Sequence, residues 1–262
     1  QLVVIGDPLQ LKHITSLNDY EETKIKEHLG LTKDVHLKYK YKSLWHYCQE
    51  FLAKAVSNEK VINLNRHYRS HEDIIGYSKD AFYIPKLNLD LKICTNVNQF
   101  NIEPKGILWE NVNGNQTNDK NINMDEVQKS IEIALNVLNA NNDISVGLVT
   151  PFRAQADELK RRIINDIPSN LTDKIIADTV YAFQGDQKDI MILSLVVTDN
   201  SPDSKIYWIN NIVPESVNVA VTRARNTLYI VGNKNYIRRK SNTTEPLRKL
   251  LSYTEDLQKL KN

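Results

Sequence analysis

Apolar positions fall into two rhythms along this chain. Residues 2–5 are a short apolar run closed by Gly6-Asp7-Pro8, which predicts a buried strand and a turn. Residues 20–29 and 44–56 carry helical spacing, and residues 73–82 predict a helix that stops before Pro85. A strand is expected at 106–110, and residues 111–123 are polar and turn-rich, an exposed loop. From residue 125 the alternation becomes regular. An amphipathic helix over 125–139 places Val127, Ile131, Ala134, Leu135 and Leu138 on one side. A strand at 145–150, a helix at 154–164, strands at 175–179 and 189–197, a short helix at 217–224 and a closing strand at 228–231 follow. Strands alternating with helices predict an α/β fold, a mainly parallel sheet with helices on both faces. In such sheets sites are expected at the carboxyl ends of strands, where three of the segments described next begin.

With 41% hydrophobic and 25% charged residues the composition is that of a globular domain. The longest apolar stretch, 190–197, holds Ser194 and ends at Thr198, too short for a spanning helix of about 20 residues, so no membrane partner is expected. Cys48 and Cys94 are far apart and form no metal-binding or disulfide spacing, which points to a reducing cytoplasm. A net charge of +2 does not mark a polyanion binder. Lys234, Arg238, Arg239, Lys240, Arg248 and Lys249 crowd the C-terminal end, where a solvated helix face is favoured over a phosphate patch. A chain seldom opens inside a core strand, so residue 1 is expected to be a cut or cleavage boundary.

Five segments carry candidate chemistry. Gly6 to Leu11 follows a strand, and the Gln10 amide can donate to a phosphate oxygen and orient a water. Residues 65–70 hold Tyr68 and Arg69, and a guanidinium forks two hydrogen bonds onto phosphate oxygens. His67 and His71, four apart, lack the further ligands and the HExxH pattern of a zinc site, and no metal is assigned to the chain. Residues 147–155 run from strand to helix, offering the Thr150 hydroxyl and helix N–H groups, with Pro151 and Arg153 beside them. Residues 178–189 offer Thr179 at a strand end, then Gln184 and Gly185, an amide and a flexible backbone. In 218–225, Arg223 and Arg225 are expected on different sides of one helix, one reaching a phosphate and the other supporting the fold.

In this order the five segments resemble superfamily 1 helicases, closest to the subgroup typified by the nonsense-mediated RNA decay helicase and its bacterial relatives. GDPLQL resembles motif III, NRHYRSHEDI motif IV, VGLVTPFRAQ motif IVa, TVYAFQGDQKDIMILSLV motif V and VNVAVTRARNTLYIVGN motif VI. The resemblance covers most of residues 1–233 and is weak over 86–124. It implies a RecA-like (P-loop NTPase fold) second motor lobe over 61–235, a remnant of the first lobe over 1–60 and a basic helical tail over 236–262. It also implies that Gln10 couples the γ-phosphate to the strand, and that Arg69 and Arg223 are arginine fingers. Tyr68, Gln184, Gly185 and Gln187 would lie on the nucleotide side, while Thr150, Pro151, Arg153 and Thr179 would contact single-stranded DNA or RNA. ATP and Mg2+ would be held mainly by the first lobe of the same parent chain, and 5′-to-3′ movement is the expected direction.

Three departures matter. The family's usual glutamate on the ribose is Gln187, and its frequent aspartate is Tyr181. No GxxxxGK[ST] loop occurs in the sequence, so ATP hydrolysis is not expected of these 262 residues alone. A lone strand at 2–5 would have unpaired edges, and pairing with a second chain into a non-native dimer is one expected outcome. Two other readings compete with the motor: a non-catalytic nucleic-acid-binding or scaffold lobe, and an unrelated α/β nucleotide-binding enzyme. The presence of both arginines favours the motor.

Overall fold

The regular alternation from residue 125, with the strand expected at 106–110, does build a parallel sheet. The computed structural model describes residues 3–13, 15–31, 38–40, 42–55, 62–115, 117 and 121–261. The chain divides into two units, 1–64 and 65–262.

In the first unit α1 (Asp19–His28) opens with a reciprocal cap, in which the Asn18 side chain accepts from the Glu21 N–H and the Glu21 carboxylate accepts from the Asn18 N–H. The second helix is α2 (Leu44–Ala55). The strand expected at 2–5 is not formed over its described part: residues 3–7 have no regular structure, and Val3 and Ile5 are 73% and 86% exposed. A strand needs a partner to accept its N–H groups, and none lies among the described residues of this unit. The edge on which chain pairing was expected is therefore not formed there.

The second unit begins with β1 (Arg66–His67), paired in parallel to β2 (Lys92–Ile93). Between them α3 (Glu72–Ser78) passes through a π turn (Lys79–Tyr83) into α4 (Ile84–Leu87). The helix thus runs on past Pro85. The wider turn lets the Ile84 N–H reach the Lys79 carbonyl, and Pro85 falls in the first turn of α4, where a missing N–H is harmless. Asn88, with φ 51°, ends it.

The main sheet contains β3 (Gly106–Asn111), β4 (Val146–Thr150), β5 (Ile175–Thr179), β6 (Lys188–Ser194) and β7 (Ala224–Gly232). All pairs are parallel and the spatial order is β3-β7-β6-β4-β5. The helices are α5 (Met124–Ala140), α6 (Arg153–Asp166), α7 (Asp203–Tyr207) with a π turn (Trp208–Ile212), α8 (Glu215–Thr222), α9 (Lys234–Lys240) and α10 (Pro246–Lys261). Successive strand residues face opposite sides. Val146, Leu148, Ile190, Ile192, Tyr229 and Val231 meet α5 and α6 on one face. Leu193 points the other way, toward Val217 and Ala220 of α8, which packs with α3. On α5 the expected positions Val127, Ile131, Ala134 and Leu138 are buried and Leu135 packs against the same core.

The C-terminal stretch, described through residue 261, is helical and packs against the rest of its unit. Tyr236, Ile237, Leu247, Leu250, Leu251 and Thr254 are buried, and the Tyr77 hydroxyl donates to the Pro246 carbonyl. The apolar spacing within the basic stretch drives this docking. Its charges are largely matched on the surface: Arg238 with Glu255, Arg239 with Asp199 and Lys240 with Asp203. Among the described residues no helix is long and apolar enough to cross a membrane.

Candidate functional site

Two groups of side chains lie at opposite edges of the sheet. Arg223 immediately precedes β7, Gln187 immediately precedes β6, and the first residues of those strands, Lys188 and Ala224, are in register. Thr150 and Thr179 close β4 and β5, also in register. Val146 sits opposite Ile190, so Thr150 lies about six strand residues, roughly 20 Å, beyond the level of Lys188. Thr150 and Thr179 thus stand at carboxyl ends, as expected of such sheets, whereas Arg223 and Gln187 stand at the amino edge. The 178–189 segment leaves the carboxyl end at Thr179 and reaches the amino edge at Gln187, joining the two groups by main chain.

At the amino edge Arg69 and Arg223, remote in sequence, meet at one residue. Arg69 Nη2 donates to the Thr222 carbonyl at 2.8 Å, and Arg223 Nη2 donates to Thr222 Oγ1 at 3.3 Å. The Arg69 loop is held there by the His71 N–H, which donates to the Arg225 carbonyl at 2.7 Å. Arg223 is 6% exposed; its Nε donates to Val219 O and its Nη1 to Asp186 O. Arg69 is less buried, and its Nε has no hydrogen-bond partner among the described residues. Burial lowers the Arg69 pKa, with a further push from the Arg225 charge. The two arginines of 218–225 do not share a helix: α8 ends at Thr222, Arg223 caps it, and the exposed Arg225 lies in β7 beside Asp189.

His67 organises the same loop. Its Nε2 accepts the Ser70 N–H at 2.8 Å, which requires a neutral ring. Burial, then the Arg69 charge, pushes the imidazole down to about 4. His71 instead caps α3 by accepting the Asp73 N–H. Among the described residues no group of three His, Cys, Asp or Glu side chains could hold a metal ion. Tyr68 is exposed and hydrogen-bonds Arg66. Gln184, Gly185 and Gln187 are exposed on the turn before β6, and Gly185 has φ 97°, a region that glycine enters without steric cost. Gln10 belongs to the first unit, where its N–H donates to the Asp7 carbonyl in a turn flanked by buried Leu9 and Leu11.

At the carboxyl edge Thr150 is buried; its hydroxyl accepts the Phe152 N–H, and its carbonyl accepts the Val180 N–H. Thr179 and Pro151 are partly exposed. The helix α6 starts after Phe152 with no side-chain cap, so its first N–H groups are not taken by a capping side chain. Arg153, exposed on its first turn, pairs with Asp157 and Asp178, and Asp178 also pairs with Lys160 at 2.6 Å.

Sequence reasoning missed two features. Glu126, on the buried side of α5, accepts from Ser194 Oγ at 2.7 Å, the Val196 N–H at 2.9 Å and Asn123 Nδ2 at 3.2 Å. Gln155 of α6 bonds Ser194 and the Asn123 main chain, so α5, α6 and the end of β6 share one buried polar network. Burial raises the Glu126 pKa to about 7 against these hydrogen bonds. A glutamate next to Val127 within an apolar stripe was the available signal. The second feature is an aromatic pair, Phe152 and Trp208, with ring centroids 6.1 Å apart.

Residues 43–235 match the AAA domain family. The chain is 28% identical over 192 residues to helicase sen1 of Schizosaccharomyces pombe, an alignment covering 70% of this chain and 11% of that protein. Probable helicase senataxin of Homo sapiens is 26% identical over 185 residues, covering 68% of this chain and 7% of the relative. An uncharacterized ATP-dependent helicase of Methanocaldococcus jannaschii is 27% identical over 192 residues, covering 67% and 27%. The chain thus spans only a small part of each relative. It belongs to the AAA domain family, it is similar to superfamily 1 helicases of the sen1 and senataxin type, and its mainly parallel sheet covered by helices is an α/β fold.

Proposed function

We propose that the chain supplies the second motor lobe of an ATP-driven superfamily 1 helicase or translocase, with residues 1–60 belonging to the end of the first lobe. One observation carries this reading: Arg69 and Arg223 converge on Thr222, the Arg69 contact spanning 153 residues of sequence. Two guanidinium groups at one edge can neutralise charge developing on a transferred phosphoryl group. The Arg69 Nε, without a hydrogen-bond partner among the described residues, supports a fit to a phosphate oxygen. ATP with Mg2+ supplies the phosphoryl group when bound between the lobes, and Tyr68, Gln184, Gly185 and Gln187 flank it on this lobe. Gln187 offers the sugar an amide rather than a carboxylate. Gln10 couples the phosphate to the strand. At the opposite edge Thr150, Pro151, Arg153 and Thr179, with the uncapped start of α6, contact the backbone of single-stranded DNA or RNA.

The sequence contains no phosphate loop, so this chain alone does not turn over ATP. The test is ATP turnover, with single-stranded nucleic acid added, by the chain alone and joined to a first lobe bearing that loop. In the joined protein Arg223→Ala lowers turnover by about 10³-fold or more and leaves strand affinity within a few fold. Turnover by the isolated chain that Arg223→Ala abolishes would refute its incapacity. A second reading, a non-catalytic scaffold lobe, draws on the burial of Arg223 against main-chain carbonyls. Undiminished turnover in the joined Arg223→Ala protein would favour it.

A further inference from the structure

The chain leaves β6 through a backbone conformation that its sequence does not favour. Val196 is buried and has φ 58°. A β-branched residue is strained in the left-handed region, because its Cβ crowds the following carbonyl, and it stays there only where its surroundings hold it. The other non-glycine residue at positive φ among the described residues is Asn88, a type whose short polar side chain eases that conformation. What holds Val196 is a side chain of α5. The Val196 N–H donates to Glu126 Oε2 at 2.9 Å, the oxygen that also accepts Ser194 Oγ at 2.7 Å. The Val196 carbonyl accepts Ser201 Oγ at 3.4 Å, and that oxygen accepts the Thr198 N–H at 3.1 Å. An apolar residue at position 126 would avoid the desolvation cost of a buried carboxyl group. The donors that Glu126 collects lie on the end of β6 and on Asn123, the cap of α5.

The turn at Val196 directs the chain along the carboxyl edge of the sheet. Leu195 before it and Ile209 beyond α7 line one small cavity with Pro151 and Val180, the neighbours of Thr150 and Thr179. Gln155 of α6 donates to Ser194 Oγ at 2.8 Å, so the helix that starts at this edge is tied to the same carboxyl group. We propose that Glu126 is a positioning residue for the strand-contact edge: its carboxyl group holds Val196 in the left-handed conformation and so fixes how Leu195 and the start of α6 meet the strand ends at Thr150 and Thr179. Glu126 is fully buried and touches no nucleic acid. It acts through the main chain. Without its acceptor Val196 relaxes toward extended backbone, the peptide rotates, and the segment leading to α7 leaves its place against Pro151 and Val180. The inference rests on the strand-contact reading of this edge.

The test measures affinity for a fluorescent thymidine oligonucleotide of about ten nucleotides, by anisotropy at fixed salt, on chains whose folding is checked by circular dichroism. Glu126→Ala should weaken binding by at least about five-fold. Adding Val196→Gly to that variant should restore affinity to within about two-fold of wild type, because glycine enters the left-handed region without steric cost. A role confined to stability predicts the opposite, since replacing a buried valine with glycine removes apolar contacts and adds to the damage. Should Glu126→Ala not fold, Glu126→Asp, which draws the carboxylate back by one methylene, is read by the same two criteria. A folded Glu126 variant that binds like wild type overturns the positioning role and leaves the strand reading standing. A loss that Val196→Gly does not restore overturns it too. A wild-type chain that binds no oligonucleotide overturns the strand reading, and the positioning role with it.

Discussion

Replacing Glu126 with glutamine should make the protein's stability respond differently to pH. The carboxyl group is buried beneath the end of β6 and is raised from 4.5 to about 7 by desolvation, outweighing its hydrogen bonds to Ser194, Val196 and Asn123. The folded state therefore binds this proton more tightly than the unfolded chain does. The stabilising contribution is fully present below about pH 4.5 and is lost as pH rises through about 7. A rise of this size corresponds to about 3 kcal/mol, at about 1.4 kcal/mol per unit. Glutamine keeps the shape and one acceptor but has no proton to lose. The difference in unfolding free energy between Glu126→Gln and wild type should move in favour of the variant by about 3 kcal/mol between pH 4.5 and 7.5. Urea titrations across that range, followed by circular dichroism, measure it. Parallel pH profiles for the two proteins would refute the reasoning, because they would mean that the carboxyl group is hydrated or already ionised in the fold. Glu126→Ala is a harsher change. It strips the acceptor from two buried donors, Ser194 Oγ and the Val196 N–H, and should cost about 2 kcal/mol at least.

Other consequences can be measured separately. His67, lowered to about 4, should remain neutral at pH 5.5 in an NMR titration of its ring. Its contribution to stability is present above about 6.5 and lost as pH falls toward 4, and a ring protonated at pH 5.5 would contradict the Ser70 hydrogen bond. Gly185→Ala should cost about 1 kcal/mol in urea melts from backbone strain alone, since nothing lies within 4 Å of the added carbon; an unchanged midpoint would mean the turn relaxes freely.

The five strands of the main sheet and the helices α5, α6 and α8 are legible in the periodicity of apolar residues, because a half-buried element repeats its burial every two or about 3.6 positions, whereas α7 and the π turn after it are not. The motifs are legible too, since each stands at a change of rhythm: Thr150 and Thr179 where strands stop, and Arg223 where a helix gives way to a strand. Periodicity is local, and it does not say which ends of which strands adjoin. Only the parallel pairing of β5 and β6 with β4 sends Thr179 to one edge and Gln187 to the other, and only the folded chain brings Arg69 to Thr222. The apolar run at residues 2–5 predicts a strand that hydrogen bonding does not complete over its described part, because a strand is stabilised by partners and not by its own composition. Residues 236–261 looked like a charged tail by their lysines and arginines, yet Leu247, Leu250 and Leu251 dock them onto the lobe. Glu126 shows the same limit from the other side. Its identity is written in the sequence, but its raised pKa comes from three separate elements closing over it and withdrawing water.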